Sequence, residues 1–168
     1  LEVRGGWLCR KTAEAFARFA GMMAAHFSGR VSHFITLNEP QIVLKLGYAD
    51  GIHAPGKRLL LPELVSCWKN LMLAHGLSFR AIRNAAPEAL IGIASTGKLC
   101  YPHSPADEDA ARQETFRLTD ADWMFTHPIV LDAVCFGSVE PEEGRLRELL
   151  STVTPEEWDT MHAVPDFI

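Results

Sequence analysis

Long apolar runs are absent from this sequence: none of its segments reaches the roughly 18 consecutive apolar residues that a membrane helix needs. A membrane span is therefore not expected. An excess of basic residues is absent as well, because 16 Lys and Arg stand against 21 Asp and Glu, giving a net charge of -5. Phosphate binding depends on clustered Lys and Arg, so nucleic acid is not an expected partner.

Cysteine is scarce, and no C-x-x-C pair occurs. The four cysteines lie far apart in the chain, at Cys9, Cys67, Cys100 and Cys135. This spacing excludes a disulfide-dense scaffold and favours free thiols in a reducing compartment, so a cytoplasmic location is expected. Cys100 and His103 have the spacing of half a metal site, but no second pair follows at ligand spacing. A plain loop is the preferred interpretation, and no metal or cofactor is predicted.

What is present is the composition of an ordinary soluble globular domain, with 48% hydrophobic and 22% charged residues. The stretch that organises it runs from Val31 to Pro40. Its β-branched and aromatic residues predict a short, fully buried strand, which Pro40 ends because proline has no N–H for the ladder. Glu39 is therefore predicted at the carboxyl end of a buried strand, the end at which parallel sheets and barrels carry their chemistry.

Apolar spacings of three and four predict a helix before this strand, packed on a sheet through one face that includes Phe16 and Phe19. Gly29 is predicted to end that helix in the left-handed conformation. After the strand, residues 41–46 lead into a long loop from Gly47 to Leu61, which we expect to be functional because of its length. His53 in this loop is predicted to be structural.

A helix from Pro62 to about Asn84 and a second strand from Ala89 to Ser95 complete a parallel, right-handed strand–helix–strand unit. His75 on the apolar face of that helix is predicted to be a hydrogen-bonded core residue. Further helical segments are predicted downstream, at 107–117, in part of 119–135 with a break at Pro128, at 145–150, and after the capping box of Thr154 and Glu157. Phe167 and Ile168 are predicted to begin a third strand.

The segment Thr36-Leu37-Asn38-Glu39-Pro40 resembles a landmark of the family 1 glycoside hydrolases, which include the β-glucosidases. Its flanks resemble the family in the same order along the chain: Gly5-Gly6-Trp7-Leu8, Gly47-Tyr48, Gly51-Ile52-His53-Ala54-Pro55-Gly56 and Pro165-Asp166-Phe167-Ile168. The resemblance covers nearly the whole chain. It implies an α/β fold that is part of a (β/α)8 TIM barrel, from the third helix to the start of the sixth strand.

A complete barrel needs roughly 250 residues, and the chain begins at Leu1 and stops at Ile168 as a strand begins. Residues 1–168 are therefore expected to be an internal fragment of one barrel domain. The resemblance implies a retaining β-glycosidase in which Glu39 is the general acid/base and Asn38 binds the sugar 2-hydroxyl. It also places Gln41 at a substrate-binding position. The nucleophile belongs to a Thr-Glu-Asn-Gly segment that this sequence lacks, so the chain alone is expected to be inactive.

Some positions depart from the family pattern. Gln41 stands where many relatives have a Trp that contacts the leaving group, and Cys9 stands where Asn is usual. His127 replaces an Asp before Pro128, and the segment from Asp132 to Phe136 also departs from the usual residues. The first two differences leave the aglycone preference open, and the last set weakens the resemblance from Met124 to Phe136 without affecting Glu39. Pro40 favours an unphosphorylated β-glucoside or β-galactoside, because members that act on phosphorylated sugars tend to lack it.

The competing hypothesis is a non-catalytic barrel remnant with a structural or weak sugar-binding role. The flanking coding sequence distinguishes the two: a downstream nucleophile segment supports the enzyme, whereas a natural stop after Ile168 supports the remnant.

Overall fold

A computed structural model describes residues 2–168, and a parallel strand–helix–strand unit lies at its centre. Strand β1 (His33–Asn38) pairs in parallel with β2 (Leu90–Ala94), as predicted. Helix α3 (Leu61–Ala85) connects them, and the Glu63 carboxylate caps its start by accepting from the Leu60 N–H at 3.1 Å. The predicted helix and both strands agree with the structure to within two residues at each end.

Strand β1 is less buried than its composition predicted. Thr36 and Leu37 are buried, but Val31 lies before the strand and is exposed, and Ile35 is 53% exposed. Side chains alternate across a strand, so the consecutive buried residues Thr36 and Leu37 lie on opposite faces, and both faces of β1 are partly covered. The prediction of a fully buried strand was wrong because, within residues 2–168, this cover does not extend to Ile35.

Helix α1 (Arg10–Phe27) packs against α3 rather than on a sheet, and its buried face overlaps the predicted one only in part: Phe16 packs on the core, as predicted. The buried residues are small, among them Ala13, Ala17 and Ala24, whereas Phe19 is 57% exposed. Small side chains let the two helices approach closely, and a Cβ added at Gly21 would lie 3.2 Å from the Cβ of Ala81. Gly29 follows the helix with φ of 75°, as predicted.

The segment after β1 is helical rather than an irregular lead into a loop. A single turn, α2 (Pro40–Ile42), continues as a π-helical segment (Val43–Ala49). This segment buries Tyr48, whose hydroxyl donates to Glu2 at 2.9 Å and accepts from the Trp7 N–H at 3.2 Å. Gly47 is required there because a Cβ would lie 2.8 Å from the Ala54 carbonyl oxygen. The loop therefore begins only after Ala49.

Four helices follow β2: α4 (Glu108–Phe116), α5 (Pro128–Phe136), α6 (Arg145–Leu150) and α7 (Pro155–Met161). Pro128 begins α5 instead of breaking a longer helix, since proline fits the first helical turn. The predicted capping box is present, with the Glu157 N–H donating to the Thr154 hydroxyl at 3.2 Å. Phe167 forms an isolated parallel bridge with Gly92 of β2, at the place where a third strand is predicted, but within residues 2–168 the sheet has two strands.

Within residues 2–168, none of the helices combines the length and the apolar character needed to cross a lipid bilayer.

Candidate active site at the carboxyl ends of the strands

Glu39 lies one residue beyond β1, at the edge where both strands end. Asn38 is in register with Ala94, the last residue of β2, and the Glu39 N–H donates to the Ala94 carbonyl oxygen at 2.9 Å. The backbone of Glu39 is therefore anchored to the end of β2. Glu39 lies at the position that the sequence predicted, the carboxyl end of a parallel strand.

The backbone of Glu39 is strained. With φ of 46° and ψ of 61°, it is the only non-glycine residue with positive φ in the described part of the chain. Such a conformation costs on the order of 1–3 kcal/mol and persists only where the surroundings enforce it. Two backbone hydrogen bonds hold Glu39 in this conformation. Its N–H donates to the Ala94 carbonyl oxygen, and its carbonyl oxygen accepts from the Ile42 N–H at 2.9 Å. Strain of this kind concentrates at functional sites, which makes Glu39 a functional candidate on geometry alone.

Asn38 and Glu39 present their side chains to solvent at this edge. Asn38 is exposed and Glu39 is partly exposed. The Glu39 carboxylate does not cap the helical turn that follows it. Both side chains are therefore accessible to a ligand from the open side of the sheet.

Gln41 is placed differently, since it is only 1% exposed. Its side-chain amide donates to the Ser95 hydroxyl at 2.8 Å and to the Thr126 carbonyl oxygen at 3.2 Å. Its side-chain carbonyl accepts from the Thr96 N–H at 3.5 Å, a long contact. Both amide hydrogens are thus engaged within the protein. Substrate contact by Gln41 stays a prediction.

Ser95 and His127 join this arrangement, although neither was predicted from the sequence to be part of the site. The Ser95 oxygen lies 3.0 Å from Nδ1 of His127, which is partly exposed. Because Ser95 accepts from Gln41, its own hydrogen is free to be donated to His127. A polar residue directly after a parallel strand was the available signal for Ser95. The only signal for His127 in the sequence was that it replaces the usual Asp before Pro128.

A second buried network lies behind β1. The Thr36 hydroxyl lies 2.7 Å from Nδ1 of His75, and Nε2 of His75 donates to the Ala163 carbonyl oxygen at 2.8 Å. A carbonyl oxygen only accepts, so Nε2 carries the hydrogen and Nδ1 of the neutral ring is an acceptor. The Thr36 hydroxyl hydrogen has two acceptors within reach, Nδ1 of His75 and, at 3.1 Å, the Gly92 carbonyl oxygen. Burial lowers the pKa of His75 to about 4, because the charged ring would lose its hydration. The prediction of a hydrogen-bonded core histidine is confirmed.

The loop after β2 is fixed by Lys98, whose ammonium group binds Glu114 and Asp122. These hydrogen bonds raise the pKa of Lys98 above its usual value, and the bond to Asp122 contributes more than the bond to Glu114. The backbone N–H of Lys98 also donates to the Phe125 carbonyl oxygen at 3.2 Å. The segment on the Glu39 side of the sheet is thus tied to the turn that precedes α5.

Other candidate groups lie elsewhere. His53 is exposed in the loop after the π-helical segment. Among residues 2–168, no three His, Cys, Asp or Glu side chains converge in a way that would hold a metal ion. A surface groove of about 380 Å³, lined by residues 28–32 and 86–89, lies at the amino ends of the strands, on the opposite side from Glu39.

Comparison with known proteins identifies relatives of the whole chain. The sequence matches the model of Glycosyl hydrolase family 1 over residues 1–168. It is 35% identical over 161 residues to beta-glucosidase 25 of Oryza sativa subsp. japonica, covering 84% of this chain and 30% of that protein. It is 32% identical over 129 residues to a 1,4-beta-D-glucan glucohydrolase of Thermotoga neapolitana, covering 77% of this chain and 30% of that protein.

Solved structures give the same result. Virulence factor SghA from Agrobacterium tumefaciens is similar with a TM-score of 0.81 and 29% identity, over 99% of this chain and 36% of that one. A family 1 b-glucosidase from Thermotoga maritima is similar with a TM-score of 0.71 and 29% identity, over 95% of this chain and 34% of that one. The chain thus spans about 30% of the length of the two curated relatives.

Proposed function

Because the chain belongs to glycosyl hydrolase family 1, a family whose matched members include β-glucosidases, we propose that it carries the acid/base half of a retaining β-glycosidase site. The observation that carries this proposal is Glu39, held in a strained turn between the ends of two parallel strands with its side chain accessible. The chain fits a segment of the (β/α)8 barrel of its structural relatives. That it runs from the third helix to the start of the sixth strand is part of the proposal.

Hydrolysis with retention proceeds in two steps, and Glu39 acts in both. In the first, the Glu39 carboxyl gives its proton to the leaving oxygen while a second carboxylate bonds to the anomeric carbon and the C–O bond breaks. In the second, Glu39 takes a proton from water, which attacks the anomeric carbon and releases the nucleophile. Asn38, exposed beside Glu39, donates from its amide to the sugar 2-hydroxyl, a contact that strengthens in the transition state.

The second carboxylate lies outside this chain in our proposal. The sequence holds no Thr-Glu-Asn-Gly segment, and one carboxylate cannot perform both roles. The isolated chain is therefore proposed to be inactive, as one internal part of a barrel domain. The reaction belongs to the complete enzyme that contains residues 1–168.

The proposed substrate is an unphosphorylated terminal β-glucoside or β-galactoside. Pro40, buried directly after Glu39, supports this choice because family members that act on phosphorylated sugars tend to lack this proline. For comparison, SghA has been solved in complex with salicin, described as its substrate analog. A cytoplasmic location is part of the same proposal, and it rests on the dispersed cysteines.

The alternative, a non-catalytic remnant, is favoured by one observation: in residues 2–168 the sheet has only two full strands and leaves Ile35 exposed. A coding sequence that stops naturally after Ile168 would support the remnant. Continuation into a nucleophile segment would support the enzyme.

The test of the function replaces Glu39 in the complete enzyme and varies the leaving group. General acid catalysis contributes about 10²- to 10⁴-fold, and only where the leaving group needs a proton. Glu39→Ala should therefore lower kcat/KM strongly for an aryl β-glucoside with a poor leaving group and little for an activated one. The matched control is Glu88→Ala, an exposed glutamate at the amino end of β2. Equal losses on both substrates would refute the assignment.

A further inference from the structure

The end of β2 holds Glu39 from two sides. On one side, the Ala94 carbonyl oxygen accepts from the Glu39 N–H at 2.9 Å. On the other, the next residue, Ser95, accepts from the Gln41 amide at 2.8 Å. The left-handed turn at Glu39 is thus enclosed between two anchors on consecutive residues. A turn of the Glu39 backbone into the extended region would move Gln41 away from Ser95.

We propose that Gln41 is a positioning residue for Glu39, acting through a partly buried hydrogen-bonded clamp with Ser95, Thr126 and His127. The inference rests on the proposed function of Glu39 and concerns how its carboxyl group is held. Gln41 acts here through the backbone, without touching the sugar or its leaving group.

The burial of Gln41 and the partners of its amide hydrogens support this role. Gln41 is 1% exposed, and its two amide hydrogens meet two acceptors, the Ser95 hydroxyl and the Thr126 carbonyl oxygen. A side-chain amide has only two hydrogens to donate, so none remains for a ligand. Donation to a substrate would require the clamp to open and leave buried polar atoms unpaired, which is unfavourable.

The clamp also links two departures from the family pattern. Gln41 replaces a typical Trp and His127 a typical Asp, and the structure connects them through Ser95, at 2.8 Å and 3.0 Å. A Trp has a single ring donor and no acceptor, so it could not take the place of Gln41 in this network. The two departures therefore belong to one hydrogen-bonded network.

The test combines substitutions at Gln41 and Glu39 in the complete enzyme. Gln41→Met keeps the length of the side chain and removes its hydrogen bonds. Small misplacement of a catalytic group can cost up to about 100-fold, so we expect a kcat/KM loss of about 10-fold on the poor-leaving-group glycoside and less than about 3-fold on the activated one. Gln113→Met, at an exposed glutamine on α4, is the matched control and should leave both values unchanged.

The decisive comparison is the double variant. If Gln41 acts only through Glu39, then adding Gln41→Met to Glu39→Ala should lower kcat/KM no further. Multiplying losses, or a preference that changes between aglycones of equal acidity but different shape, would overturn the proposal and favour direct contact with the aglycone. Equal losses for Glu39→Ala on both substrates would refute the proposed function and this inference with it.

A second variant separates positioning from folding. Ser95→Ala removes one acceptor of the clamp at a partly exposed residue. It should reproduce the selective loss on the poor-leaving-group substrate, to a lesser degree than Gln41→Met. A uniform loss on both substrates for both variants would show that the clamp serves only stability, and would overturn the proposal.

Discussion

His75 should make the fold sensitive to acid in a defined pH range. Its ring is 0% exposed and bonded to Thr36 and Ala163. Desolvation lowers its pKa from 6.5 to about 4, the bond to Ala163 opposes part of this effect, and the charge of Arg80 adds to it. Because the folded-state pKa is depressed, the unfolded chain binds the proton more readily. The stabilisation is therefore complete above about pH 6.5 and is lost as the pH falls towards 4.

The size of the effect follows from the two pKa values. The difference between 6.5 and about 4 corresponds to roughly 3 kcal/mol in the free energy of unfolding. Between about pH 7.5 and about pH 5.0, linkage assigns roughly 2 kcal/mol of the loss to His75. This window lies above the ordinary range of most carboxylates, so the contribution of the histidine is separable.

The assay is urea unfolding of the complete protein and of a His75→Leu variant at these two pH values. The substitution lowers stability at both pH values, because the Ala163 carbonyl loses its partner, but the comparison is made within each protein. Wild type should lose about 2 kcal/mol more than the variant on acidification. His103→Gln, at an exposed loop histidine, should keep the full loss. Equal pH dependence in wild type and His75→Leu would refute the reasoning.

Three further predictions concern packing and stability. Gly76→Ala should destabilise the protein by about 1–3 kcal/mol despite its better helix propensity, because the new Cβ would run into the Thr160 backbone on α7, and a raised Tm would contradict this. Gly21→Ala, whose Cβ would meet Ala81 at 3.2 Å, should cost less. The isolated 168-residue chain should be marginally stable or aggregate, because it exposes Ile35, Leu90 and Ile168 beside open strand edges; a cooperative melt as a monodisperse monomer would count against this.

The elements that the sequence predicted well are those with strong local signals. Helix α3 has a proline in its first turn and long apolar periodicity, and Thr154 and Glu157 mark the start of α7. The buried face of α1 was predicted only in part, because periodicity identifies an apolar stripe without showing which neighbour it meets: Phe16 packs on the core, whereas Phe19 is exposed. The alanines of α1 are buried against α3, and the aromatic stripe that includes Phe19 is partly exposed.

The candidate site shows the same limit. The position of Glu39 followed from the strand and from Pro40, but its left-handed backbone has no local signature, since glutamate is not a residue that favours that region. The burial of Gln41 depends on Ser95 and Thr126, which are 54 and 85 residues away along the chain. Contacts at such separation are set by the tertiary fold, and no local pattern in the sequence reports them.

Azide rescue of Glu39→Ala in the complete enzyme tests the central claim most directly. Without its base, the variant should accumulate a covalent glycosyl-enzyme when given an activated aryl β-glucoside. Azide needs no deprotonation to attack, so it should restore turnover and yield the β-glycosyl azide, detected by NMR of the product. Turnover that azide leaves unchanged, with no glycosyl azide formed, would contradict the assignment of Glu39 as the general acid/base.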